Sequence, residues 1–333
     1  MKQIIEDLSR PELMPDPTQS VSIVQTHISI VFIADSFVYK IKKPVNFGFL
    51  DFSTPEKRKN FCLREVELNR RLSSGIYLDV IPVVFDGTSY RLGAHSGETV
   101  DHAVKMKRVP EDILMKTLFL KGTLTDSHMK DVADVLARFH RTADGGARIE
   151  RFGEAGAFKV NTDENFVQIE PYIGRSIDEK TFIALKDWTE GFFSKHGGLF
   201  ASRIAQGKIR DCHGDLHMEH VCLGDEVAVI DCIEFNERFR YCDTVADFAF
   251  LLMDLEYHGG SAQAEKLWDF YRMYAEEGDD IEDLLIFYKL YRAMVRGKVN
   301  SFQLDDENIS DEKRLEAIGK AADYFRLAYR YIG

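Results

Sequence analysis

Between Val21 and Lys43 short apolar runs rich in β-branched residues are separated by polar positions. Ser22-Ile23-Val24-Gln25-Thr26 and Ile28-Ser29-Ile30-Val31-Phe32-Ile33 are followed, after a polar break at Asp35-Ser36, by Phe37-Val38-Tyr39-Lys40-Ile41-Lys42. This texture predicts successive β-strands joined by short turns. They follow a short helix around Ile4 to Leu8 and a loop with Pro11, Pro15 and Pro17. The pattern then changes. Phe61, Glu65, Leu68 and Leu72 are spaced four, three and four apart and fall on one helical face. Ser53 or Thr54 can cap this helix, Pro55 suits its first turn, and Glu56 stands three residues after Ser53, as a capping box requires. The helix is predicted to stop before Gly75. Glu65 sits among apolar neighbours on that face, and a carboxylate buried there needs a partner.

Extended segments follow at Val80–Phe85 and Ser89–Leu92, with Asp86-Gly87 as the hairpin turn, and at Val100–Val109. Beyond Pro110 the periodicity becomes helical. Met129, Val132, Val135, Leu136 and Phe139 mark a helix over 126–141 that ends before Gly145-Gly146. Further helices are predicted near 177–195, 243–257, 261–276, 279–296 and 311–330. A non-helical island from Arg210 to Asn236 interrupts them and contains a small hairpin, Val221–Leu223 and Val227–Ile230 around Gly224-Asp225-Glu226. The expected fold class is α+β. A β-rich part with one central helix spans 1–108 and a helical part spans 109–333, with no low-complexity linker and no internal repeat.

Composition narrows the class. The 333 residues are 45 % hydrophobic and 29 % charged, which supplies a large core and excludes a disordered or disulfide-scaffolded chain. Lys plus Arg total 43 against 55 for Asp plus Glu, a net charge of −12. That field disfavours nucleic acid as a partner but leaves room for one phosphate or nucleotide in a locally basic cleft. The five cysteines are odd in number and lack metal-ligand spacing. The charged start lacks the apolar run of a signal peptide, and no stretch approaches the roughly 18 apolar residues of a membrane span. A cytoplasmic protein without a membrane partner is expected; the sequence leaves the oligomeric state open.

The densest chemistry lies in the island. His213-Gly214-Asp215-Leu216-His217-Met218-Glu219-His220 precedes the hairpin, and Ile230-Asp231-Cys232-Ile233-Glu234-Phe235-Asn236 follows it. Asp215 and Asp231 are sixteen positions apart with strand, turn and strand between them, so both can reach neighbouring edges of one small sheet. Such an arrangement suits a base facing a hydroxyl and a carboxylate facing magnesium-bound phosphate. Two other readings stand beside it. The residues can be turn caps in a helical protein, or His213, His217 and His220 can form a zinc site, although Gly214 breaks a helix there and no HExxH motif is present.

This segment resembles the catalytic loop of the aminoglycoside phosphotransferase and choline kinase superfamily, which has the bilobal protein-kinase-like fold. The family pattern is His-Gly-Asp, an Asn five residues after the Asp, a hairpin, then a hydrophobic-Asp pair with a further acid three residues later. The resemblance implies that Asp215 is the catalytic Asp, Asp231 the principal magnesium ligand, Glu234 the later acid, and Asp247 a structural Asp before the next helix. The helix ending in Leu136-Ala137-Arg138-Phe139-His140 resembles a helix of the family's large lobe. Val38–Pro44 and Asn46–Ser53 resemble an uncharacterised bacterial branch in which some members carry an added P-loop domain; no GxxxxGK[ST] motif occurs here.

The resemblance implies ATP-dependent transfer of the γ-phosphoryl group to a hydroxyl of a small-molecule acceptor, with magnesium (Mg2+) and manganese (Mn2+) as the alternative. Lys40, paired with Glu65, would contact the α- and β-phosphates, with Lys42 in reserve. Thr26 and Ser29 lie where the family covers the phosphates, and Met106 lies in the connection that binds adenine. His213 would brace the loop and His217 would line the acceptor site. The acceptor clues conflict: Arg292 and Arg296, one turn apart, suit an anion, whereas Glu276–Asp280 and Asp305-Asp306-Glu307 suit a cation. One departure stands out. His220 occupies the place of the family's metal-binding Asn, and its softer nitrogen suits manganese or zinc better than magnesium. His220 can instead contact phosphate, or mark a kinase-like nucleotide-binding protein without turnover.

Overall fold

The segment from Val21 to Lys43 folds as three antiparallel strands, β1 (Ser22–Gln25), β2 (Ser29–Ile33) and β3 (Phe37–Lys42), after helix α1 (Lys2–Leu8). Next come α2 (Pro55–Ser73), β4 (Tyr77–Phe85), β5 (Tyr90–Leu92), β6 (Glu98–Lys107), α3 (Met115–Leu120), α4 (Asp126–Thr142), α5 (Ala147–Glu150), α6 (Ala155–Ile169) and α7 (Glu179–Ala205). The island holds β7 (Ile209–Asp211), β8 (Val221–Leu223) and β9 (Val227–Val229). The chain closes with α8 (Glu237–Arg240), β10 (Tyr241–Asp243), α9 (Thr244–Tyr257), α10 (Ser261–Tyr274), α11 (Glu282–Phe302) and α12 (Asp311–Arg330). This computed structural model describes residues 1–333 except Phe49, His95, Glu307 and Asn308; Phe49 and Glu307, each within a stretch singled out above, thus lie outside the described residues. The fold is the bilobal α+β one, with a small β-rich lobe and a large helical lobe. The chain divides into two compact units, Met1–Thr123 with Glu219–Glu237, and Leu124–Met218 with Arg238–Gly333.

In the first unit six strands form one antiparallel sheet in the order β1-β2-β3-β6-β4-β5. Tyr39 and Ile41 of central β3 enter a core with Ile4, Leu8, Ile30, Phe32, Val83, Leu92 and Ala103. Strand alternation therefore turns Lys40 and Lys42 to the other face, where both reach Glu65 of α2. Helix α2 starts at Pro55 as expected, and of its two candidate caps the structure uses Thr54. Asp51 accepts the backbone N–H of Ser53 at 3.0 Å and its hydroxyl at 2.6 Å, which commits Ser53 to a local turn. Thr54 is then the cap and accepts Lys57 N–H at 3.3 Å, so the Ser53–Glu56 capping box does not form.

The second unit is helical. One core of this unit gathers Phe166 and Ile169 of α6, Phe250 and Met253 of α9, Leu290, Ala293 and Met294 of α11, and Tyr324 and Phe325 of α12. Helix α6 is not anticipated by periodicity: Val160 and Val167 are exposed, whereas Asn161, Thr162 and Asn165 are buried. Helix α11 passes its expected end at 296 because Gly297 is a packing position. A Cβ there would meet the Phe325 ring at 2.5 Å. Buried Arg203 grips Asp243 with two hydrogen bonds of 2.7 Å, and Asp243 caps α9 by accepting Val245 N–H at 2.9 Å. That fixes the start of the helix that carries Asp247 and Asp254. All five cysteines are free and buried. Among the described residues no helix is long and apolar enough to cross a membrane.

Candidate active site

In the first unit a buried charge cluster forms between β3, α2 and the segment after β9. Lys40 Nζ lies 2.9 Å from Glu65 Oε1 and 2.6 Å from Asp231 Oδ1. Lys42 Nζ lies 2.6 Å from Glu65 Oε2 and also pairs with Glu234. Glu65, placed among apolar residues by its helix face, thus has both strand lysines as partners. Burial opposes the charge of Lys40, but the Asp231 and Glu65 carboxylates hold its pKa well above the usual lysine value. Burial likewise pushes Glu65 up, yet the two ammonium groups prevail and keep it below the usual carboxylate range. Burial wins at Glu234, whose pKa is raised despite Lys42.

The backbone around Asp231 is held in an uncommon conformation. Its φ is +63°, in the left-handed region that non-glycine residues rarely occupy. The Tyr77 hydroxyl accepts its N–H at 3.0 Å, and Asn69 Oδ1 accepts the next N–H, that of Cys232, at 2.9 Å. The Asp231 side chain is 45 % exposed, so its carboxylate keeps an accessible oxygen face. His220 Nε2 lies 3.7 Å from Asp231 Oδ2. These two groups fit a divalent cation, one offering a hard oxygen and the other a borderline nitrogen. Glu234, with 5 % exposure and its carboxylate on Lys42, is a partner of that lysine rather than an open ligand.

The remaining predicted residues of this unit have mainly structural neighbours. Thr26 Oγ1 accepts the N–H groups of Ile28 at 3.3 Å and Ser29 at 2.9 Å, closing the β1–β2 turn with the hydroxyl expected to face phosphate. Ser29 is buried opposite Lys42 in the β2–β3 register, and its hydroxyl has no hydrogen-bond partner. Met106 pairs with Val38 and Tyr77 and packs against the Cys62, Val66 and Val104 cluster.

In the second unit the His213–Asp215 loop is built around Asp247. His213 N–H and Gly214 N–H donate to the Asp247 carboxylate at 2.9 Å and 2.8 Å, and His140 Nε2 lies 3.2 Å from it. Gly214 has φ +89°, which allows the two successive N–H groups to converge. His213 Nδ1 accepts Asp215 N–H at 3.3 Å, so His213 braces the loop. Asp215 itself is partly exposed, with His217 Nε2 3.6 Å from its Oδ2. His217 is buried against the Phe250 ring. Asp254, missed by the sequence reading, accepts Met218 N–H at 3.0 Å and holds the far end of the loop. Its signal was present: Asp247 and Asp254 are two turns apart in a mostly apolar helix, and so share a face.

The two arginines expected to meet an anion have different surroundings. Arg292 is 4 % exposed and donates to Gly214 O and Ala246 O, each at 3.0 Å. Its guanidinium holds the loop. Arg296 extends along the Tyr324 ring at 5.7 Å, and its Nε is buried without a hydrogen-bond partner. Burial opposes its charge, but Tyr324, Asp215 and Asp254 hold its pKa above the usual arginine value.

Asp247 gives a pH prediction. Burial pushes its pKa up, but the His140 hydrogen bond and the charges of His140, His213 and Arg292 outweigh this and hold it below the usual carboxylate range. A depressed pKa stabilises the fold above the unfolded value, about 3.9, and that contribution is lost as pH falls through the folded value. Asp247→Asn is expected to lose roughly 3 kcal/mol at pH 7. Urea unfolding from pH 7 to pH 3 should show the gap to the native protein narrowing; a constant gap would contradict this account.

Residues 49–281 match the family described as the phosphotransferase enzyme family. Uncharacterized proteins of Mycobacterium tuberculosis and Mycobacterium bovis are 34 % identical to this chain over 283 residues, which cover 84 % of it and 54 % of each relative. The chain thus spans about half the length of these curated relatives. A choline/ethanolamine kinase family protein from Mesorhizobium loti superposes with a TM-score of 0.55 at 12 % identity, covering 99 % of this chain and 98 % of the other. Amicoumacin kinase in complex with AMP-PNP and Ca2+ gives 0.56 at 12 % identity, over 95 % and 89 %. At such identities the likeness is one of fold.

Proposed function

The chain belongs to the phosphotransferase enzyme family, and from that premise we propose that it transfers the γ-phosphoryl group of ATP to a hydroxyl of a small-molecule acceptor. The observation that carries this reading is the meeting of a strand lysine, a helix glutamate and a loop aspartate: Lys40 Nζ with Glu65 at 2.9 Å and Asp231 at 2.6 Å. The chemistry supplied on binding is a transferable phosphoryl group from ATP and charge neutralisation by a divalent cation. Lys40, braced by Glu65, neutralises phosphate oxygens. Asp231, with His220, holds the cation. Asp215, presented by the Asp247 and Arg292 clamp, orients the acceptor hydroxyl and takes its proton late, since this chemistry demands little base strength. Lys42 and Glu234 support Glu65 from behind.

The test is an ATP-dependent screen of a metabolite extract, run with magnesium and with manganese. A new phosphorylated product is expected. ATP binding with no transfer to any alcohol, sugar or amine across such a panel would favour a non-catalytic nucleotide-binding protein instead. The His220 assignment has its own readout. His220→Asn, which offers a harder oxygen, is expected to raise the magnesium-to-manganese activity ratio several-fold. An unchanged ratio would remove His220 from the metal site.

A further inference from the structure

Helices α6 and α11 enclose an ammonium group that lacks a counter-charge of its own. Lys298 Nζ donates to Asn165 Oδ1 at 2.7 Å and Gln168 Oε1 at 2.9 Å, both neutral amide oxygens. The nearby Glu164 carboxylate is committed to Arg238 of α8, which donates to it at 2.8 Å and 2.5 Å. Burying a cation against neutral groups is expensive. A second deficit lies beside it. Asn165 gives its oxygen to Lys298, and the NH2 on the same amide carbon is buried with no hydrogen-bond partner. Asn161, one turn earlier, also has an unpartnered amide oxygen, and both side chains belong to residues less than 8 % exposed. An amide exchanges oxygen for NH2 by rotation, so Asn161 can present a donor as well.

A missing negative charge and a missing hydrogen-bond acceptor at one place are cured by one group. We propose that the acceptor of this enzyme carries an anionic group, a carboxylate or a phosphate ester, which binds Lys298 and the Asn165 NH2. The proposal rests on the phosphotransferase reading for the word acceptor, but not for the anion site itself. Lys298 and the Arg292 that holds Gly214 O belong to the same helix, α11, six residues apart. The proposal resolves the conflicting acceptor clues in favour of an anion, with Lys298 in the role first given to Arg292.

The titration of Lys298 provides the readout. Burial lowers its pKa to about 8, with Glu164 opposing that shift and Arg238 adding to it. Asn165, Gln168 and Glu164 of α6, Arg238 of α8 and the Phe302 ring of its own helix are the groups that face it. A bound anion favours the charged form, so the pKa rises on binding and affinity falls as pH climbs above 8.

The experiment follows the ε-carbon resonances of 13C-labelled lysines over pH 7 to 10, without nucleotide, in the presence of sodium acetate, of sodium phosphate, or of chloride at equal ionic strength. Lys298→Met assigns the resonance. The expected result is a midpoint that rises by about one pH unit with acetate or phosphate, and loses that response in Asn165→Ala. Which salt acts more strongly separates a carboxylate from a phosphate ester. A midpoint indifferent to both, or a response retained in Asn165→Ala, overturns the anion site. Once an acceptor is known, Lys298→Met should raise its KM about tenfold or more with little change in kcat. Absence of turnover would defeat the phosphotransferase reading while leaving the resonance shift intact.

Discussion

Asp215→Ala is expected to slow phosphoryl transfer by roughly a thousandfold while ATP affinity and thermal stability stay close to those of the native protein. The separation follows from how the loop is built. His213 N–H and Gly214 N–H bind Asp247, Arg292 binds Gly214 O, and Asp254 binds Met218 N–H. None of these bonds uses the Asp215 side chain, so the loop keeps its shape when that side chain is shortened. What disappears is the carboxylate that orients the acceptor hydroxyl. Lys40, Glu65 and Asp231, the groups assigned to the phosphates and the cation, belong to the other compact unit and keep their mutual contacts. Initial rates with the identified acceptor, set beside a nucleotide titration of the same preparation, check both halves. A variant that transfers phosphate at the native rate would remove Asp215 from the mechanism.

Much of this was legible in the residue order because the relevant signals are local. The strand alternation that puts Lys40 and Lys42 on one side of β3, and the spacing that puts Glu65 with Leu68 on a buried helix face, need no knowledge of distant contacts. Which lysine meets Asp231 and which meets Glu234 was not legible, since the partners lie more than 190 residues away in sequence. The same holds for Tyr77 and Asn69, whose hydrogen bonds to the Asp231–Cys232 backbone have no counterpart in local pattern. Arg292 and Arg296 illustrate the limit of spacing. Being one turn apart places both on neighbouring parts of α11, but whether a guanidinium faces a loop carbonyl or a ring depends on α9 and α12. Helix α6 escaped because its buried face carries Asn161, Thr162 and Asn165 among its apolar residues. One of the polar residues that hid the helix, Asn165, is a hydrogen-bond partner of Lys298.

The two β3 lysines should divide between stability and function, and Lys42→Met is the sharper case. Lys42 and Glu65 are almost fully buried, and Glu234 is 5 % exposed. Removing Lys42 leaves Glu234 without its direct partner, while Lys40 still serves Glu65 and Asp231. An uncompensated buried charge costs roughly 3–5 kcal/mol. The pH dependence identifies the cause. The Glu234 pKa is already raised by burial, and loss of Lys42 raises it further. A raised carboxyl pKa favours the folded state while that state holds the proton, so the deficit of the variant should shrink as pH falls from 7 towards 5. Lys42→Met combined with Glu234→Gln removes both charges and keeps the volume, and should recover most of the loss. Urea unfolding of the native protein, the two single variants and the pair, at both pH values, measures the coupling. A Lys42→Met protein as stable as the native one at pH 7, or a deficit that ignores pH, would mean that Glu234 carries no charge in the fold. Lys40→Met is expected to behave in the opposite way. Its Asp231 partner is 45 % exposed and can be solvated, so stability changes little, while nucleotide affinity falls because the lysine assigned to the phosphates is gone.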